Sequence, residues 1–147
     1  ERLKEGQPSQ LERLRERGQA QLRGGAQALA TTMVIRNLPD TCTTQVLVEA
    51  LCSTGYFGQF DFCYAPCNIA TGACHGYGFV NFATPEAAAA FREHWHGRSR
   101  LHDVTMAGPL NVSFAKFQGK QANVNAWRSP AGRRIRNSAL RPFIAVA

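Results

Sequence analysis

The sequence predicts an α+β fold of β-α-β-β-α-β order, a four-stranded antiparallel sheet with two helices on one face. Three observations predict it. Four short runs, at 31–36, 60–65, 75–82 and 110–116, have the β-branched or alternating composition of strands. Two intervening segments open with helix-start signals, Thr43 and Thr84-Pro85-Glu86. In a split βαβ arrangement, right-handed crossovers put the first and third strands in the middle and leave the face opposite the helices open.

Residues 1–30 read as a separate charged arm. Ser9-x-x-Glu12 is a capping box, and Leu11, Leu14 and Leu22 form a narrow stripe interrupted by Gly18 and broken by Gly24-Gly25. Such a helix is stable mainly when docked; a solvated extension and a partner-binding helix are both open. Thr31-Thr32-Met33-Val34-Ile35-Arg36 makes the first strand, turned by Asn37-Leu38-Pro39. The first helix follows with Leu47, Ala50 and Leu51 inward and Gly55 past its end.

The second strand alternates over 60–65. Burying Asp61 unpaired is costly, so Phe60, Phe62 and Tyr64 are assigned to the core, and Asp61, Cys63 and Ala65 to the open face. Residues 66–74 form a loop around Thr71-Gly72. In the third strand His75, Tyr77, Phe79 and Asn81 share one side, while Gly76, Gly78, Val80 and Phe82 share the other. The second set suits a core, its glycines leaving room for something close behind. Aromatics held outward on a rigid sheet are what stacking of unpaired bases requires. The alternative is a strand buried on both faces.

Ala88, Phe91 and Trp95 form the inward stripe of the second helix, ended by Gly97. The fourth strand places Leu110, Val112 and Phe114 inward and Asn111, Ser113 and Ala115 outward. A third helix is expected over 120–128, stopped by Ser129-Pro130, with Trp127 packed on the domain; the alternative is that Trp127 covers part of the open face or stacks a base itself. Phe143-Ile144 could pair as an edge strand. Three parts result: the 1–30 arm, a 31–117 domain, and 118–147 as C-terminal helix and basic tail.

Charge is distributed unevenly. The 147 residues carry a net +7, and beyond residue 103 no acid occurs, while Lys116, Lys120, Arg128, Arg133, Arg134, Arg136 and Arg141 do. All of the excess therefore lies in the last third, which points to a polyanionic partner over a merely solubilising tail. No run approaches the roughly 18 apolar residues of a membrane span. The opening has neither Met nor an apolar leader and reads as a fragment or processed product.

Five irregularly spaced cysteines argue against a disulfide framework and for a reducing compartment. The expected location is intracellular, in nucleus or cytoplasm, with an organelle as the alternative. Cys63, Cys67, Cys74 and His75 lack the C-x-x-C pair of a zinc site, and His94 and His96 diverge on their helix. No nucleophile elbow, phosphate loop or paired-carboxylate pattern is present, so neither an enzyme nor a cofactor is expected.

The octamer His75-Gly76-Tyr77-Gly78-Phe79-Val80-Asn81-Phe82 fits the ribonucleoprotein pattern K/R-G-F/Y-G/A-F-V-x-F/Y everywhere except at His75. With Met33-Val34-Ile35-Arg36-Asn37-Leu38 as companion hexamer, the chain resembles an RNA recognition motif (RRM). Val34 stands where that hexamer is usually aromatic, which removes one stacking platform. A narrower resemblance accounts for this: the chain is similar to the C-terminal RRM of the Mei-two-like meiosis regulators, whose hexamer also tends to be aliphatic there. It rests further on Thr31-Thr32, Arg36-Asn37-Leu38-Pro39, Asp61-Phe62-Cys63-Tyr64-Ala65-Pro66, Ala115-Lys116-Phe117-Gln118-Gly119-Lys120 and Arg141-Pro142-Phe143-Ile144.

The resemblance implies a ferredoxin-like RRM sandwich with an added C-terminal helix, and single-stranded RNA as partner. Tyr77 and Phe79 would stack bases, beside His75 and Val34 on the same face. Arg36 and Lys116 would meet phosphates or base edges, Asn81 and Ser113 would offer hydrogen bonds, and Lys120, Arg133, Arg134 and Arg136 would contact phosphates. The alternative function is a protein-interaction RRM component of a larger ribonucleoprotein assembly, with other proteins of that assembly as partners.

Overall fold

The computed structural model describes residues 28–101, 104–106, 108–128 and 140–145. The helix expected around Ser9–Glu12 and the basic residues Arg133, Arg134 and Arg136 lie outside the described residues. The chain divides into two units, Glu1–Ala30 and Thr31–Ala147, and the second carries the fold.

Within that unit the strands are β1 (Thr32–Arg36), β2 (Phe60–Tyr64), β3 (Tyr77–Phe82), β4 (Arg100–Leu101), β5 (Val104–Thr105), β6 (Asn111–Phe114) and β7 (Phe143–Ile144). The helices are α1 (Thr44–Leu51), α2 (Pro85–Trp95) and α3 (Lys120–Trp127). The main sheet runs β6-β1-β3-β2-β7, antiparallel at every pairing. The expected order with β1 and β3 central is thus present, with Phe143–Ile144 added at the β2 edge. The short β4–β5 hairpin was not expected from the sequence.

Both expected helix caps form. The Thr43 hydroxyl accepts from the Val46 amide at 3.2 Å, and the Thr84 hydroxyl accepts from the Ala87 amide at 3.1 Å ahead of Pro85. After Leu51 the α1 backbone widens into a π-helical turn, Cys52–Tyr56. The core lies between α1 and α2 and one sheet face, where Met33, Ile35 and Val80 meet Leu47, Leu51, Phe91 and Trp95, all fully buried. Phe91 packs its ring 4.8 Å from Phe82 and 4.7 Å from Trp95, centroid to centroid. Each such side chain contributes about 1.5–3 kcal/mol by leaving water.

The third strand starts at Tyr77, two residues later than its sequence suggests. Gly76 takes φ +87°, a left-handed value that ends the extended backbone and suits glycine. Gly78 provides the predicted room: a Cβ there would stand 2.8 Å from Leu47 Cδ2 and 3.3 Å from the Tyr64 carbonyl oxygen.

The assignment of the second strand needs correction. The β2–β3 register shifts between Phe60 and Phe62, so a β-bulge at Asp61 inserts one residue. Beyond it Phe62 pairs with Asn81, Cys63 with Val80 and Tyr64 with Phe79. Residues paired across antiparallel strands project to the same side. Phe62 and Tyr64 therefore stand on the open face, while Cys63 and Ala65 enter the core. Asp61 stays out of the core, as its charge requires, but strict alternation fails where a bulge adds a residue.

The cysteines make one local bridge, which their spacing does not announce, and no wider framework among the described residues. Cys67 and Cys74 are joined by a disulfide across a local antiparallel bridge, while Cys42, Cys52 and Cys63 are free.

Candidate nucleic-acid interface

Registers place Thr32, Val34 and Arg36 of β1, Phe62 and Tyr64 of β2, Tyr77, Phe79 and Asn81 of β3, and Asn111 and Ser113 of β6 on the face away from α1 and α2. That face is uneven. Arg36, Tyr77 and Asn111 are exposed at one end, Phe79, Ser113 and Tyr64 are half-buried in the middle, and Thr32, Asn81 and Phe62 are buried at the other.

The buried end lies under the C-terminal extension. The Gln118 carboxamide oxygen accepts from the Thr31 and Thr32 amides, both at 2.9 Å, and its NH2 donates to the carbonyls of Thr32 and Ala115. The Gly119 amide donates to the Thr32 hydroxyl at 2.9 Å, and Asn123 Nδ2 reaches the same oxygen at 3.2 Å. Because Thr32 shares the side of Asn81, α3 sits on the sheet face opposite the other two helices. Lys120 Nζ donates to the Ala145 carbonyl at 2.7 Å, tying the start of α3 to the end of β7. Phe143 of β7 sits 5.3 Å from the Phe60 ring. Trp127 is half-buried with its indole N–H shielded from solvent, in keeping with packing on the domain.

At this covered end two sequence-derived site residues, Asn81 and Lys120, have structural partners. Asn81 is 3% exposed, accepts from both Thr31 and Thr32 hydroxyls, and donates to the Asp61 carboxylate at 2.7 Å. The expected free hydrogen-bonding group is instead the hub of a buried network, because α3 covers that end of the strand. Lys120 is half-buried and gives one of its ammonium hydrogen bonds to a backbone carbonyl. Val34 lies on the expected side but is 4% exposed, so it offers little surface to a ligand.

The open end keeps the rest together. Tyr77 and Phe79 meet edge to face, with ring centroids 5.7 Å apart. His75 precedes the strand, is exposed, and lies nearly parallel to Tyr77 at 6.2 Å with 22° between ring planes. Arg36, the cross-strand partner of Tyr77, donates to the Ser113 hydroxyl at 3.0 Å, which holds the guanidinium along the face. Lys116 is exposed beyond β6, its ammonium 5.8 Å from the Phe117 ring centre. Sequence reading missed Tyr64, whose position follows only from the bulge, and whose phenol is pushed to higher pKa by burial and by Tyr77 nearby.

Among the described residues no group of three or more His, Cys, Asp or Glu could hold a metal ion. Both outlying histidines are engaged: His94 Nδ1 lies 3.2 Å from the Tyr56 hydroxyl, and His96 Nδ1 accepts from the Val112 amide at 3.0 Å. No described helix is long and apolar enough to cross a membrane.

A four-stranded antiparallel core with two helices behind it and ribonucleoprotein-octamer aromatics in front defines the RRM class. The family model for RNA recognition motif 2 matches residues 30–128, and the chain belongs to that family. Protein MEI2-like 5 of Oryza sativa subsp. japonica is 30% identical over 99 residues, covering 67% of this chain and 12% of that protein. Protein MEI2-like 5 of Arabidopsis thaliana is 28% identical over 92 residues, covering 63% and 11%. The chain thus spans only a small part of these curated relatives, in line with the Mei-two-like resemblance read from the octamer, hexamer and Gln118-Gly119-Lys120. Among solved structures, the Rna15 RRM with bound RNA (GU) shares the fold, with a TM-score of 0.50 and 17% identity over 67% of this chain and 97% of that one.

Proposed function

We propose that this domain is a binding module for single-stranded RNA, using the open end of its sheet to stack bases and its basic residues to meet phosphates. The observation that carries the reading is the Tyr77–Phe79 pair, presented to solvent from a central strand bonded on both sides. A rigid platform spares a ligand the cost of ordering the rings on binding. Membership in the RNA recognition motif 2 family supports the reading, as does the fold shared with the RNA-bound Rna15 domain.

Tyr77 and Phe79 each stack a base or sugar, at about 1–3 kcal/mol per base. Arg36, prealigned by Ser113, and His75, beside Tyr77, contact phosphate or base edge at the rim. Two stacked bases alone bind weakly, so Lys116 and the basic tail with Arg133, Arg134 and Arg136 supply much of the affinity. Sequence-tolerant recognition follows from this division, because every base has a stacking face.

The test is a fluorescence-anisotropy titration of a labelled short RNA at increasing salt. With five to seven basic groups on phosphate, log K falls against log salt with a slope of about −3.5 to −5. Absence of binding at low salt, or a slope near zero, contradicts the proposal.

A further inference from the structure

The aromatic track on this sheet turns toward β2, on the side away from the hexamer. At the level of Phe79 the face has two lateral neighbours, Val34 on β1 and Tyr64 on β2. Val34 is aliphatic and 4% exposed, so no ring is available on the β1 side. Tyr64 is half-buried, as Phe79 is, and reaches this face only because the bulge at Asp61 reverses the alternation of β2. Beyond Phe62 the same strand is covered, since Phe62 is 2% exposed and pairs with Ile144 of β7. Tyr64 is thus the last open β2 position before the C-terminal extension, beside Phe79 and near Tyr77.

We infer that Tyr64 is a third RNA-contacting residue, its ring extending the Tyr77–Phe79 platform so that the RNA crosses from β3 onto β2 instead of onto β1. This deepens the proposed RNA-binding reading and rests on it. The occupant is one nucleobase of a single strand, stacked on or leaning against the phenol ring. The covered Phe62 end limits the track on that side, so the strand must leave the face toward the 66–74 loop.

The test measures affinity of the full chain for a fluorescein-labelled single-stranded RNA of mixed sequence, about ten nucleotides long. Tyr64→Leu is expected to weaken binding roughly ten-fold, comparable to Tyr77→Ala, while Tyr64→Phe, which keeps the ring, stays within about three-fold of the parent. If Tyr64→Leu binds like the parent while Tyr77→Ala is weakened, the β2 track is wrong and the open-face reading survives. If neither variant is weakened, both fall. Equal losses in Tyr64→Leu and Tyr64→Phe contradict a stacking role. Photocrosslinking of the unsubstituted chain to 4-thiouridine RNA needs no variant to fold. An adduct on Tyr64 supports the track, and adducts confined to β1 and β6 overturn it.

Discussion

Thr32 and Asn81 face each other across β1 and β3, and the threonine hydroxyl donates to the Asn81 carboxamide oxygen at 2.6 Å. That contact joins two groups of bonds. On one side Asn81 holds the Asp61 carboxylate at the bulge, and on the other Thr32 receives Gly119 and Asn123 of the C-terminal extension. The octamer position that looks free for RNA instead fastens the extension to the sheet and decides which end of the face stays open.

Removing the hub takes a hydrogen-bond partner from one buried and two half-buried groups. Asn81→Ala takes the acceptor from the Thr31 and Thr32 hydroxyl protons and a donor from the Asp61 carboxylate, and is expected to cost about 2–4 kcal/mol. Urea unfolding checks this through a lowered midpoint, and hydrogen exchange through faster exchange of the Gly119 amide. An unchanged midpoint contradicts the network's role.

Gly78 is a steric requirement. Gly78→Ala places a methyl 2.8 Å from Leu47 Cδ2 and 3.3 Å from the backbone oxygen of Tyr64, which cannot yield as a side chain can. The expected loss is about 1–3 kcal/mol, the usual cost of overpacking. Equilibrium unfolding of the variant measures it, and a gain in stability contradicts the packing described.

The five cysteines fall into a bonded pair and three thiols. Thiol titration of protein purified without reductant, carried out in denaturant, is expected to give three reactive groups before reduction and five after. Five before reduction contradicts the Cys67–Cys74 bond.

Burial pushes the Cys42 thiol from 9.0 up to about 11, and raises Cys63 well above 9.0 for the same reason. The unfolded chain therefore releases these protons before the folded one does. Stability from this source is whole below about pH 9 and is lost as pH rises through about 11. A two-unit gap corresponds to about 2–3 kcal/mol for Cys42 once both states have ionised. Urea midpoints should fall between pH 9 and pH 11, and less steeply in Cys42→Ala. Parallel curves for the two proteins contradict the assignment.

Much of this fold could be read from local signals. Thr43 and Thr84-Pro85 mark helix starts because a cap is a short-range hydrogen bond, and Met33, Ile35, Val80 and Phe82 follow strand alternation because the backbone there is regular. The failures share a cause, which is that they depend on distant partners. Nothing near Asp61 announces a bulge, since that is a matter of register with β3. Asn81 and Lys120 look exposed until α3 and β7 are placed over and beside them. The Gln118-Gly119-Lys120 and Phe143-Ile144 segments could be picked out as distinctive, but only contacts with Thr32, Ala145 and Phe60 explain them as fastenings. Tyr77 and Phe79 were legible because a strand pattern with its aromatics on the wrong side for a core is itself a local signal.

The central claim is tested most directly by the affinity of the Tyr77→Ala, Phe79→Ala double variant for a short single-stranded RNA, compared with the parent at one salt concentration. Loss of two stacked bases predicts weakening of about 30-fold or more, with thermal unfolding confirming that the variant is folded. A folded double variant that binds within two-fold of the parent, about 0.4 kcal/mol, contradicts the account.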